Sequence, residues 1–153
     1  MHKTALAIAA VSLSCSVAHA DATEDSRNLY DVVARSSAAF LQLLQEAGKD
    51  PTVVHAKLSR EVTAPVTKAK SDWLELLGKS AAEYAVFMPC HEAAADLEGM
   101  TEKLQRFLKG NGDATLDDDA DYFRKDFTRC EQALGLAPTF PEVAEQLTGE
   151  DDE

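Results

Sequence analysis

The chain has 153 residues, with 15 Lys or Arg against 27 Asp or Glu, and a formal charge of -12. Hydrophobic residues make up 45% and charged residues 27%, a composition that argues against a wholly disordered chain, a fibrous repeat and a multi-span membrane protein. The length suits one domain with a core of its own. The excess of carboxylates argues against nucleic-acid binding, because phosphate contacts need clustered Lys and Arg.

The first 20 residues have the pattern of a secretory signal peptide. Lys3 gives a positive start, residues 4–17 are uncharged and largely apolar, and residues 18–20 read Ala-His-Ala, a cleavage site of small residues. The apolar run is shorter than the roughly 20 residues that cross a bilayer. We therefore expect a mature chain that begins at Asp21 in the periplasm or outside the cell.

The main alternative is a lipoprotein signal, in which Cys15 would be acylated. Bacterial lipobox patterns usually carry Leu three positions before the Cys, and that position is Ser12 in this chain. We favour cleavage after Ala20, which leaves a single helical domain over 21–148 and an acidic, disordered tail over 149–153. The mature chain has no other segment that is apolar enough to span a bilayer.

Two cysteines remain after cleavage, and an even number in an exported protein indicates a disulfide. Cys90 and Cys130 lie equally far from Gly110, in a Gly-Asn-Gly turn signal at 110–112. Two helices that fold back on each other at this turn would bring the cysteines level. We predict a Cys90–Cys130 bridge. A thioredoxin-like redox role has no support, because the sequence contains no C-x-x-C.

Helical periodicity runs through the mature sequence. The first helix is predicted from about Thr23 to Ala47, with Gly48 as its C-terminal cap. Residues three or four apart form its core-facing stripe: Leu29, Val33, Ser36, Phe40, Leu43, Leu44 and Ala47.

The second helix is predicted to open with Asp50 as its N-cap and Pro51 in its first turn, and to end at Gly78. Pro65 lies in its middle and is expected to kink it. Its stripe consists of Val54, Leu58, Val62, Val66, Ala69, Trp73, Leu76 and Leu77.

The third helix is predicted to open at Ser80, where Ser80 and Glu83 form a capping-box pattern. The helix then either breaks at Pro89 or kinks there and continues to Leu108. Its stripe is Tyr84, Phe87, Met88, Cys90, Ala94, Leu97, Thr101, Leu104 and Leu108.

A fourth helix is predicted to start at Thr115, which caps it, and to end at Gly135. Its stripe is Ala120, Phe123, Phe127, Cys130 and Leu134. A second capping box, at Thr139 and Glu142, opens a short last helix through Leu147. Because the sequence shows neither strand-like alternation nor a hairpin signal, we predict an all-α antiparallel bundle of four main helices plus a short C-terminal one.

The segment 109–120 between the cysteine helices resembles an EF-hand loop. The residues that fit ligand positions three and five, the apolar eighth position and position nine are Asn111, Asp113, Leu116 and Asp117. Lys109, Ala114 and Ala120 stand where such a loop needs Asp, Gly and a bidentate Glu. We therefore expect no specific calcium site.

Other catalytic and cofactor patterns are weak. His91 lies between Cys90 and Glu92, but Cys90 is assigned to the disulfide, so a surface or half-buried histidine is the better interpretation. Glu92, Asp96 and Glu102 are interpreted as a solvated helix face. The sequence contains neither C-x-x-C-H for haem nor H-E-x-x-H for zinc, and it has no nucleophile elbow. We predict no metal, no cofactor and no enzymatic activity.

The acidity is concentrated in the C-terminal half. Residues 21–80 hold 8 basic and 9 acidic side chains, net -1, whereas residues 81–153 hold 6 and 18, net -12. The predicted partner-binding residues are Asp113, Asp117, Asp118, Asp119 and Asp121. Such a surface steers a basic protein, as immunity proteins and enzyme inhibitors do. The alternative is a periplasmic cation-binding or stress-related accessory protein.

Overall fold

Apolar residues repeating every three or four positions favour helices that bury one face. The structure, a computed structural model, describes residues 14–113 and 115–149, with side chains from 21 to 147 except at 114. The described residues form five helical segments and no strand, which confirms the all-α class. Most of the predicted signal peptide, Ala114 and the last four residues of the predicted tail lie outside the described residues.

Two of the five segments are long helices with a local change of helix type. The segments are α1 (Ser14–Glu46); α2 (Pro51–Leu58) and α3 (Ala64–Leu77), joined by a π turn (Ser59–Thr63); α4 (Ala81–Tyr84) and α5 (Met88–Leu108), joined by a 3₁₀ turn (Ala85–Phe87); α6 (Asp117–Ala133); and α7 (Pro141–Gly149). They pack as an antiparallel bundle of four main helices with α7 as the short C-terminal helix. Within the described ranges, no helix is long and apolar enough to cross a membrane.

The predicted stripes are the buried faces of the helices. The large side chains that fill the core are Leu29, Val33, Phe40, Leu43, Val54, Leu58, Val62, Val66, Trp73, Phe87, Leu97, Leu104, Phe123 and Phe127. The buried Trp73 donates its indole N–H to the Ser26 hydroxyl at 2.9 Å, so this polar atom keeps a partner inside the core. The apolar stripes therefore bind the four main helices into one core.

The two prolines within helices change the helix type around them. At Pro65 the sequence predicts a kink, and the chain accommodates this proline by the π turn that ends two residues before it, where Ala64 donates to the Ser59 carbonyl. Proline lacks an N–H and clashes with the carbonyl of the preceding turn, so a wider turn relieves the crowding. Pro89 lies in the first turn of α5, directly after the 3₁₀ turn, where its missing N–H is not needed.

The helix caps follow the prediction in part. Asp50 caps α2 as predicted, since its carboxylate accepts the Val53 N–H at 3.1 Å. Ser80 is the N-cap of α4, but among the described residues its side chain makes no cap hydrogen bond. Gly135 has a φ of 67° and ends α6 as predicted, whereas Gly48 is not among the described glycines with positive φ.

Two predicted caps are wrong. The N-cap of α6 is Leu116 and not Thr115, and it has no side-chain cap bond within the described part of the chain. Three aspartates in the first turn take the place of a cap by their favourable interaction with the helix dipole. Thr139 does not cap α7, because the helix begins only at Pro141; its hydroxyl and its backbone N–H instead donate to Glu131.

The predicted disulfide is confirmed. Cys90 on α5 and Cys130 on α6 are bonded with their Cα atoms 4.6 Å apart, and both are buried. The turn between these two helices contains Gly110 and Gly112, whose φ values are 76° and 97°. The two helices share the most extensive contact in the bundle, and the bridge holds α6, with its acidic first turn, against α5.

Candidate functional site

The five predicted partner-binding aspartates lie at the start of α6 and in the turn before it. Asp113, Asp117, Asp118 and Asp121 are exposed, whereas Asp119 is partly buried. We call these five residues the acidic surface. Within the described ranges, Asp113, Asp117 and Asp118 take part in no ion pair. The structure therefore brings four of the predicted residues to the solvent and gives Asp119 a different position.

Asp119 forms an ion pair with Lys103 of α5. This pair lies more than ten residues along both helices from the Cys90–Cys130 bridge, near the other end of α5. A covalent link at one end and an ion pair at the other fix α6 against α5. Asp119 therefore differs from the other four aspartates, because its carboxylate is already paired inside the protein.

Asp121 is paired on its own helix. Its carboxylate lies 2.6 Å from the Arg124 guanidinium, and 74% of the Asp121 side chain is exposed. An exposed pair three residues apart contributes little to stability. The pair does have a local electrostatic effect. Asp121 compensates the positive charge of Arg124, which is the one cation in the described lining of the groove described next.

An apolar groove of about 330 Å³ opens between α1, α5 and the start of α6. Its floor and walls are Phe40, Leu41, Leu44, Leu97, Met100, Leu116, Ala120, Phe123 and Phe140. Leu41 lies at its edge and is 59% exposed. Asp117 and Arg124 are the charged residues of its lining. We call this cavity the α1–α6 groove.

A second cavity, of about 460 Å³, lies between α6 and α7 and is mostly polar. Asp121, Arg124 and Lys125 line it from α6, and Glu142 lines it from α7. Tyr122, 63% exposed, is also part of its lining. Asp117 lines the apolar groove and Asp121 lines this polar cavity, so the acidic surface borders both, and Arg124 belongs to both linings.

Sequence reasoning missed the role of Glu131. This residue is 0% exposed and accepts hydrogen bonds from the Tyr30 hydroxyl at 3.0 Å and from the Thr139 N–H at 2.8 Å. The Thr139 hydroxyl adds a third bond at 2.5 Å. A signal was present, because Glu131 follows Phe127 by four residues and so falls on the apolar face of α6. A carboxylate on such a face needs partners inside the protein.

Asp96 does not belong to a solvated face, which corrects the interpretation from the sequence. Glu92 and Glu102 are exposed, but Asp96 is half-buried, and its Oδ2 atom has no hydrogen-bond partner among the described residues. Burial, followed by the charge of Asp126 on α6, raises the pKa of Asp96 to about 6. The folded protein therefore disfavours the ionised form of Asp96.

His91 is half-buried, as expected, and stacks on Trp73 with ring centroids 5.8 Å apart. Burial lowers its pKa, and the charge of Lys70 adds to the effect. In the part of the chain that is described, no three His, Cys, Asp or Glu side chains come together in a group that could hold a metal ion.

The EF-hand-like segment is only partly a loop. Lys109 follows the end of α5, and the Asn111 N–H donates to the Arg106 carbonyl at 2.9 Å, which closes the end of that helix. The helix α6 begins at Asp117, so the residue at the predicted ninth ligand position already belongs to a helix. Ala114, at the sixth position, lies outside the described residues.

The chain was compared with protein-family models, with curated proteins and with solved structures, and none of the three contains a match.

Proposed function

We propose that this chain is an exported, acidic helical binding module that holds a basic protein partner, as inhibitors and immunity proteins do. One observation carries the proposal: Asp117 and Asp118 are exposed and form no ion pair with any described residue, and Asp117 borders an apolar groove. Charge alone would give a diffuse attraction, whereas charge beside a recess gives a partner a defined place to dock. The proposal assigns the chain no catalytic step, no cofactor and no nucleic acid.

The charge distribution supports a steering role for this half of the molecule. Residues 111–153 carry 13 acidic and 3 basic side chains, net -10, while residues 21–80 are nearly neutral. A field of one sign raises the rate at which oppositely charged proteins meet. The Debye length is only ~8 Å at physiological ionic strength, so we expect this rate to fall steeply with salt.

The disulfide supports export, because such bonds persist in oxidising compartments such as the periplasm and the extracellular medium. The intact mass of the exported protein tests it. We expect a chain that begins at Asp21, because Ala18 and Ala20 supply the small side chains that signal peptidase requires. A mass that includes a diacylglyceryl group on Cys15 would instead show a lipid anchor.

The experiment for the function begins with retention of a partner. The immobilised mature chain is exposed at low salt to the exported proteins of the producing cell, and retained proteins are eluted with salt and identified. We expect a protein of basic isoelectric point, which is then purified for kinetic measurements. Failure to retain any basic protein would contradict the proposal.

A charge-matched pair of variants then tests the surface itself. The triple variant D117N/D118N/D121N removes three exposed carboxylates and leaves Asp119 with Lys103, so that α6 stays in place. The control E24Q/D31N/E92Q removes the same number of exposed charges from α1 and α5.

We expect the D117N/D118N/D121N variant to associate with the partner about tenfold more slowly at low salt, because steering changes on-rates by factors of about 10 to 1,000. The control variant is expected to associate at nearly the wild-type rate. Equal rates for both variants would assign these aspartates to solubility and to the helix dipole instead.

A further inference from the structure

The α1–α6 groove, which Asp117 of the acidic surface borders, has an apolar floor and an exposed apolar edge. Its floor is formed by Phe40, Leu97 and Phe123, which are at most 7% exposed, and its edge carries the exposed Leu41. An apolar recess with an aliphatic side chain exposed at its edge gains stability when another apolar side chain covers it.

The charge at the rim of the groove decides which apolar group fits. Arg124 is the one cation of the described lining, and Asp121 compensates it at 2.6 Å. Asp117 lines the groove without an ion pair among the described residues, and Asp118 follows it on the same turn. The rim is therefore net negative, which disfavours an amphiphile with an anionic head and favours an apolar group with a cation beside it.

The groove is also held in shape. Its walls come from α1, α5 and α6, and α6 is fixed on α5 by the disulfide and by the Lys103–Asp119 ion pair. A site whose walls are already in place loses less conformational entropy when it is occupied. This rigidity suits a recess that receives a side chain from a folded partner.

We propose that the groove receives a Leu-like side chain from the basic protein partner, while a Lys or Arg of the same segment contacts Asp117 and Asp118. This inference rests on the proposed function and adds the sequence character of the segment that binds. The partner's steering charges and its apolar anchor would then lie next to each other, and the anchor would slow dissociation.

Two synthetic peptides of equal positive charge serve as probes. One is an amphipathic helix of Leu and Lys with the leucines on one face, and the other is an oligolysine with the same number of lysines. We expect the wild-type chain to bind the Leu/Lys peptide at least about tenfold more tightly by calorimetry, since covering one leucine side chain accounts for such a factor.

Variants of the groove test where this preference arises. L41N replaces an exposed side chain at the groove edge, and A120F fills the groove from α6. The matched control is L74N, an exposed leucine of α3 outside the groove. We expect L41N and A120F to lose most of the preference for the Leu/Lys peptide, and L74N to keep it. L41N alone decides the matter if A120F does not fold.

The outcomes separate this inference from the proposed function. Equal binding of the two peptides by the wild-type chain, or an unchanged preference in L41N, would overturn the inference. If D117N/D118N/D121N then still weakens both peptides, the acidic surface stands without the groove. If neither that variant nor the groove variants change binding, both proposals fail.

Discussion

The hydroxyl of Tyr30 on α1 donates to the carboxylate of Glu131 on α6 at 3.0 Å, across 101 positions of the chain. Tyr30 also stacks on Phe127 at a centroid distance of 5.0 Å, and both burial and Glu131 raise its pKa. Through Thr139, the same carboxylate holds the segment that leads into α7. One buried acid thus joins the first helix, the acidic helix and the C-terminal connection.

We expect E131A to lower the free energy of unfolding by about 2–4 kcal/mol, because it removes the three hydrogen bonds that Tyr30 and Thr139 donate to this buried carboxylate. Y30F, which removes only one bond, is expected to cost about 1 kcal/mol. Urea denaturation measures both. The exposed neighbour Gln132 provides the control, since Q132A is expected to stay within about 0.5 kcal/mol of wild type. A similarly small effect of E131A would contradict the structural role of this residue.

Asp96 makes stability depend on pH. Its pKa rises from 3.8 to about 6 in the folded protein, so between these values the folded state binds more protons than the unfolded state. Stability is therefore expected to fall as pH rises through about 4 to 6, and then to stay lower. An ion-paired carboxylate has the opposite effect, because its pKa is lowered in the folded protein and stability then rises with pH.

Replacing Asp96 with Asn removes the buried charge and leaves the shape almost unchanged. We expect D96N to be more stable than wild type at about pH 7.5, by the order of 1 kcal/mol after solvent screening is allowed for. The two proteins are expected to have similar stability near about pH 4, where Asp96 is protonated. D118N, at an exposed position, provides the control. A gain in D96N that is independent of pH would show that ionisation is not its cause.

The disulfide is expected to stabilise the bundle. Cys90 and Cys130 are 40 positions apart, so the bridge restricts a large part of the unfolded chain. We expect the C90A/C130A variant to lose about 2–5 kcal/mol of unfolding free energy. Peptide mapping without reductant is expected to find both cysteines in one linked fragment. Free thiols in the exported protein, or a urea midpoint that reductant leaves unchanged, would refute this.

Millimolar calcium is expected to leave the melting temperature nearly unchanged. Lys109 and Ala120 stand where carboxylates would complete an EF-hand site, and Asp119 is already paired with Lys103. Thermal denaturation with calcium and with magnesium measures this, and D113N provides a control for weak attraction by the loop. A saturable shift that calcium causes and magnesium does not would contradict this expectation and favour a cation-binding role.

Local patterns predicted much of the fold. The stripes around Phe40, Val62, Leu97 and Phe127 repeat at the helical period, and the structure buries them. The caps were less predictable, because a Ser or Thr at a helix start can bond elsewhere, as Thr139 does with Glu131. A cap depends on which partner is nearer in three dimensions.

The sequence by itself determined the helical class, the bundle, the Cys90–Cys130 pairing and the position of the acidic residues, because all of these follow from local period, turn signals and composition. Only the tertiary structure decided that Asp119 is bound to Lys103, that Asp117 borders an apolar groove and that Asp96 is half-buried. These outcomes depend on how helices distant in sequence pack together. The spacing of residues within one helix predicts which face is buried, but it does not specify which side chains of another helix that face contacts.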